Sequence, residues 1–288
     1  MTVTCRVREL PMNENYRYRV GYRRRQFLTY AAGGAVALLA PWPVVAATKA
    51  ARDQKAVTDV TETNIRAVAF DSYGTLFDVE SLAVLGEKLY PGKGKELSQL
   101  WRRKQIEYSW LRTLLKRYRD FEKVTEDGLV FATNKLKLEL TPDNRQQLLD
   151  QYLRLDAFPD VVAGMQEFRQ LGVPLAIVSN GTQKMLQSAV KNAGIESQLD
   201  RLVSVDTVKV FKTDPRIYLA GARALNMSPK NICFVSSHSW DVIGAVSVGY
   251  VGFWVNRNDE PVEELGVAVA NQGKTLIDAA RFVKRSRA

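Results

Sequence analysis

Asp71, the pair Ser179-Asn180, Lys212 and the run Ser236-Ser237-His238-Ser239-Trp240-Asp241 each follow a short apolar segment. Together they supply acids, hydroxyls, an amide and a cation. Polar residues gather wherever strands meet loops, so any one of these has an ordinary explanation. Four in succession, all of types that serve nucleophilic or acid–base chemistry, make a candidate site. Its chemistry would be nucleophilic or acid–base work on a small ligand bound where these groups converge.

Such residues converge only if the segments before them are neighbouring strands. Apolar runs recur at Ala67–Phe70, Leu175–Val178, Leu202–Val205, Ile232–Val235 and Val251–Val255, with helix-like stretches between most of them. Alternating strands and helices imply right-handed βαβ units and a parallel sheet covered on both faces. The expected fold class is therefore α/β, a doubly wound core whose ligands bind beyond the carboxyl ends of the strands. After the first strand comes an insert that reads as helix throughout. Leu97, Trp101, Tyr108, Leu111, Leu115 and Tyr118 fall on one helical face, which predicts core packing along the whole stripe. Arg102 and Ile106, four residues apart and one step round from it, could point together into a cleft. The expected division is a core at 64–80 and 157–288, a helical cap at 81–156, and a linker at 48–63.

The formal charge of +10 suggests nucleic acid until it is divided along the chain. Residues 1–47 hold seven Arg and two Glu, leaving only +5 for the other 241 residues. That remainder lies in mixed-sign helices, a solvated surface rather than a nucleic-acid footprint. With 46% apolar and 25% charged residues the chain has an ordinary globular composition, and disordered or solenoid readings fall away.

The first 47 residues read as an export signal: a basic stretch, Arg24-Arg25-Gln26-Phe27-Leu28, then an apolar run ending in small residues near Val45-Ala46-Ala47. The paired arginines resemble the twin-arginine type, which implies a bacterial periplasmic protein and the twin-arginine export machinery as a partner. A membrane-spanning helix is disfavoured because the run falls short of roughly 20 apolar residues and contains Gly33, Gly34, Pro41 and Pro43. Cys233 would be the one cysteine of the mature protein, read as a small buried hydrophobe.

The segment Asp71-Ser72-Tyr73-Gly74-Thr75, the Ser179-Asn180 pair, Lys212 and Asp241 match the four motifs of the haloacid dehalogenase superfamily. More narrowly, Phe70–Asp78, Leu100–Gln105, Val178–Gly181 and Phe234–Ser237 resemble the L-2-haloacid dehalogenases, from about Ile65 to near Asp278. The phosphatase branch carries a second Asp two residues after the nucleophile, to protonate a departing alkoxide. Here that position is Tyr73, whose phenol is no easy substitute. A halide leaves without a proton. The fourth motif offers Ser236 and Ser237 before Asp241 rather than an acidic pair, too few oxygen anions for Mg²⁺. No metal and no cofactor are expected.

The resemblance implies hydrolysis of a small 2-halocarboxylic acid. Asp71 attacks the halogen-bearing carbon and becomes a covalent ester, with inversion there. Arg102 and Asn180 receive the halide, and Ile106, Phe121, Tyr73 and Trp240 wall its pocket. Ser179 and backbone N–H groups after Asp71, that of Ser72 first, and after Ser179 hold the substrate carboxylate. Lys212 neutralises Asp71 and Asp241, keeping the nucleophile ionised, with Tyr218, Ser236 and Thr75 supplying hydrogen bonds. Water then attacks the ester, with Asp241 as orienting base. Two departures stand out. His238 replaces an Asn that helps place the hydrolytic water, introducing a residue type that titrates near neutrality, and Thr213 replaces a usual proline. The resemblance also implies a homodimer, with the aromatic-rich helix 97–118 as a candidate surface. The rival readings are a phosphatase or other small-molecule hydrolase of the same fold, and a periplasmic binding protein that has lost turnover.

Overall fold

In a computed structural model, the structure describes residues 64–287; the expected export signal at 1–47 and the linker at 48–63 lie outside them. β1 (Ala67–Phe70) is apolar throughout and wholly buried, as a strand covered on both faces must be. The chain then leaves the sheet for four helices, α1 (Leu82–Leu89), α2 (Gly94–Leu114), α3 (Phe121–Leu136) and α4 (Pro142–Tyr152). It returns through α5 (Val161–Gln170), β2 (Leu175–Ser179), α6 (Gln183–Asn192), β3 (Arg201–Ser204) and α7 (Pro215–Ala224). β4 (Ile232–Ser236), α8 (Ser239–Val246), β5 (Val251–Val255), β6 (Gln272–Gly273) and α9 (Leu276–Arg285) complete it.

The six strands form one parallel sheet in the order β3-β2-β1-β4-β5-β6. The strand order reverses at β1, so the crevice where such folds bind ligands opens at the carboxyl end of β1, between β2 and β4. Five of the strands fall on the expected apolar runs. β6 is only two residues long and carries no apolar run to announce it. Cys233 is buried in β4, and burial pushes its thiol well above the usual range.

The insert is helical but its long helix is shorter than expected. α2 ends at Leu114, and Lys116 turns the chain in the left-handed region at φ 55°. Leu97 and Trp101 are buried, whereas Leu111 and Leu115 are 42% and 66% exposed. The stripe packs inward only over its first half, because α3 covers that half and the chain breaks off beyond it. Tyr118, past the break, stacks instead on Phe211 at 5.1 Å. Where α2 and α3 cross, Gly128 lets the backbones close up: a Cβ there would lie 3.2 Å from the Gln105 nitrogen and 3.3 Å from Trp101.

The two crossings between sheet and insert run side by side. The Asp78 N–H donates to the Asp156 carbonyl at 2.7 Å, and the Phe158 N–H to the Leu76 carbonyl at 3.0 Å. No helix among the described residues is long and apolar enough to cross a membrane.

Candidate active site

Asp71 is the first residue after β1, and its N–H donates to the Val235 carbonyl of β4 at 2.9 Å. Its side chain therefore emerges at the reversal of strand order. The Lys212 ammonium, 1% exposed, donates to Asp71 Oδ1 and to Asp241 Oδ2, both at 2.8 Å. Thr75 Oγ1 donates to Asp71 Oδ2 at 2.9 Å, and the His238 ring nitrogen Nδ1 lies 3.3 Å from that same oxygen. The Tyr218 hydroxyl donates to Asp241 Oδ1 at 2.6 Å.

Burial pushes a carboxyl up, but at Asp71 the Lys212 ammonium and the His238 contact outweigh it and hold the group well below the usual carboxylate range. Burial raises Asp241 above its ordinary value despite Lys212, and the charge on Asp71 adds to the rise. Burial alone would lower Lys212, yet the two carboxylates raise it. The lysine thus stays charged and Asp71 stays an anion. An ionised carboxylate with a permanent cation behind it can act as a nucleophile.

The surrounding loops fix this geometry. Gly74 sits at φ +91°, and a Cβ on it would come within 2.6 Å of His238 Cε1, so the close approach of the imidazole requires glycine. The Lys212 N–H donates to Asn180 Oδ1 at 2.9 Å, which leaves the Asn180 amide NH₂ as a donor for a ligand. The Ser72 and Ser179 hydroxyls meet at 2.5 Å, and the Gly181 N–H donates to Ser179 Oγ at 3.0 Å. A cleft of about 410 Å³, lined by Gly74, Arg102, Ser237 and His238 among others, lies against the cluster.

Residues 65–249 match the family of haloacid dehalogenase-like hydrolases. The chain belongs to that family. It is 44% identical over 202 residues to the haloacetate dehalogenase H-2 of Moraxella sp. (strain B), covering 70% of this chain and 90% of that protein. An (S)-2-haloacid dehalogenase of Pseudomonas sp. (strain YL) is also 44% identical over 202 residues, covering 70% and 87%. Among solved structures, the L-2-haloacid dehalogenase of Xanthobacter autotrophicus with chloropropionic acid covalently bound superposes with a TM-score of 0.72 at 36% identity, over 76% of this chain and 98% of that one.

Within this haloacid dehalogenase-like hydrolase, most expected residues gather but several contacts differ from expectation. Arg102 donates through Nη2 to the Tyr73 carbonyl at 3.0 Å and through Nη1 to Gln105 Oε1 at 2.8 Å. It is thus tied to the nucleophile loop, a contact that the expected halide-receiving role beside Asn180 did not foresee. Ser236 does not bond the lysine cluster: as the last residue of β4 its hydroxyl closes the turn into α8, accepting the His238 N–H at 3.1 Å. The neighbouring Ser237 is the serine that joins the site, donating its N–H to Thr75 Oγ1 at 2.8 Å and its hydroxyl to the Gly74 carbonyl at 2.5 Å. Asp241, expected as the orienting base, is wholly buried with both oxygens already bonded.

The Tyr73 ring lies 5.9 Å from Phe121 and 5.4 Å from Tyr152, with its hydroxyl buried and without a hydrogen-bond partner. Burial holds its phenol well above the ordinary value. Trp240 packs on His238 at 5.2 Å and edge-on to Trp110 at 5.5 Å, while Ile106 is half-buried one turn along α2 from Arg102.

Gln105 and Tyr152 were missed. Gln105 is wholly buried, takes hydrogen bonds from Arg102 and Tyr152, and donates to Thr125 at 2.6 Å. A polar residue four positions after buried Trp101 was the available signal. Among the described residues no three acidic, histidine or cysteine side chains group as a metal site would require.

Proposed function

We propose that this chain hydrolyses short-chain L-2-haloacids to D-2-hydroxyacids through an ester on Asp71. The single observation that carries the reading is the pairing of an ionised Asp71 with Tyr73 where a phosphatase would keep its acid. A phenol held well above its ordinary value, 3% exposed, cannot protonate a departing alkoxide, whereas a halide needs no proton. The covalently bound chloropropionic acid in the Xanthobacter relative supports the same chemistry.

In this reading Asp71 forms a bond to C2 as the carbon–halogen bond breaks and the halide leaves with the electron pair, inverting C2. Arg102 and the Asn180 amide NH₂ offer it donors, and the Ser179 hydroxyl and nearby backbone N–H groups hold the substrate carboxylate. Water then attacks the Asp71 carbonyl carbon, and the bond from that carbon to the ester oxygen breaks. The departing alkoxide takes up the proton that the water gave to its base, which frees the hydroxyacid and restores Asp71. With both Asp241 oxygens engaged, the base that takes the water's proton is His238, which touches Asp71 and also lines the cleft. No metal takes part.

The same reading makes residues 81–156 a cap over the core at 64–80 and 157–288, and the enzyme a periplasmic homodimer exported on its residues 1–47 by the twin-arginine route. Fractionation of cells carrying wild type or an Arg24→Lys/Arg25→Lys variant tests the export.

The deciding experiment compares L-2-chloropropionate with p-nitrophenyl phosphate, each with and without Mg²⁺. Halide release, with a transient mass increase on the Asp71 peptide, is expected. Metal-dependent phosphate release without halide release would overturn the proposal, and ligand binding with neither would mark a binding protein.

A further inference from the structure

Arg257 lies two residues beyond β5 and does not touch the nucleophile, yet three parts of the molecule meet on it. Its Nη2 donates to the Thr75 carbonyl at 3.0 Å and to the two Asp160 oxygens at 3.0 and 3.1 Å. The guanidinium carbon sits 4.2 Å from the centre of the Phe158 ring. Asp160 Oδ2 in turn accepts the Leu276 N–H at the start of α9, at 2.7 Å. Both side chains are mostly buried, at 17% and 14% exposure.

We propose that Arg257 is a positioning residue for the nucleophile. It acts through Thr75, whose carbonyl it holds and whose hydroxyl donates to Asp71. A pair serving stability alone would need only guanidinium and carboxylate. Here Asp160 fixes the guanidinium through Nη2 while the same nitrogen reaches the catalytic loop, so the carboxylate sets where that donor points. Phe158, beneath it, is where the chain re-enters the core from the insert, bonded to Leu76. Arg257 therefore ties the crossing from the insert to the loop that carries Asp71. A change at the crossing reaches Asp71 through two hydrogen bonds.

The inference rests on the ester chemistry proposed above, so its test has one arm that needs no turnover. Arg257→Gln and Arg257→Lys are compared with wild type by rapid-quench mass spectrometry of the Asp71 peptide after mixing with L-2-chloropropionate, well below each melting temperature. Displacing a reacting group by about 1 Å costs on the order of 100-fold in rate. Arg257→Gln is therefore expected to slow ester formation by roughly 10- to 100-fold at saturating substrate, with KM within about threefold of wild type and partial rescue in Arg257→Lys. In parallel, hydrogen exchange followed by mass spectrometry should quicken over residues 71–77 and stay unchanged in β3. A wild-type rate of ester formation in Arg257→Gln, or unchanged exchange over 71–77, overturns the proposal. If wild type itself forms no ester, the reading of function fails, and the exchange arm still decides the role of Arg257.

Discussion

The ion triad of Asp71, Lys212 and Asp241 sets what the site does with pH. Asp71 is held below its unfolded value near 3.8, so it contributes stability that is fully present above that value and lost as pH falls toward its folded one. The nucleophile accordingly remains ionised through the working range. Ester formation in single-turnover experiments should stay level on its account from pH 8 to about 5; a decline tracing one ordinary carboxylate ionisation would show that Lys212 does not hold it. Lys212→Met should destabilise the fold by about 3–5 kcal/mol, since it leaves carboxylates buried without their cation; chemical denaturation measures this. Gly74→Ala forces a Cβ into His238 and adds about 1–2 kcal/mol of backbone strain at a positive φ. Moving the imidazole should slow ester hydrolysis more than ester formation, so the esterified enzyme accumulates, visible as a larger halide burst. Asp71, Lys212 and Asp241 were legible from residue type and strand-end position, whereas Thr75 and Tyr218 came only with the family resemblance. The choice between Ser236 and Ser237 was not, because it depends on which way the last strand residue turns.

At the scale of elements, the same strand-end rule explains one success and one omission. Four strand ends were read for chemistry, and the fifth, beyond Val255, was passed over although Asn256 and Arg257 follow it directly. Apolar runs located β1 to β5 because parallel strands are buried on both faces. Periodicity located α2 but not its end, since Leu115 and Tyr118 keep the helical spacing after the helix has stopped. That end matters for the site. Thr113 Oγ1 accepts the N–H of Phe211 at 3.1 Å, one residue before Lys212, which fastens the last turn of α2 to the lysine loop. Thr113→Val would strand a buried N–H at a cost of about 1–3 kcal/mol. It should lower the melting temperature and raise KM for the haloacid, while Thr113→Ser restores both.

For the whole molecule, the exposed end of α2 is the feature most in need of a neighbour. Trp110, Leu111, Leu114 and Leu115 are 39%, 42%, 77% and 66% exposed, an apolar surface unlike the mixed-charge helices around it. If this is where two copies meet, the Leu114→Glu/Leu115→Glu variant should sediment as a monomer where wild type sediments as a dimer, with halide release per site retained. Dimeric sedimentation by the variant would place the interface elsewhere. The side-by-side crossings of the insert carry a further implication. Because Phe77 and Ala157 bridge as antiparallel neighbours, the chain leaves the sheet and comes back at almost one point. The sheet is thus indifferent to the length of what is spliced in there, as a plug is to its cable. A different excursion that kept the ties made by Thr113 and Arg102 could bring new substrates to an unaltered nucleophile.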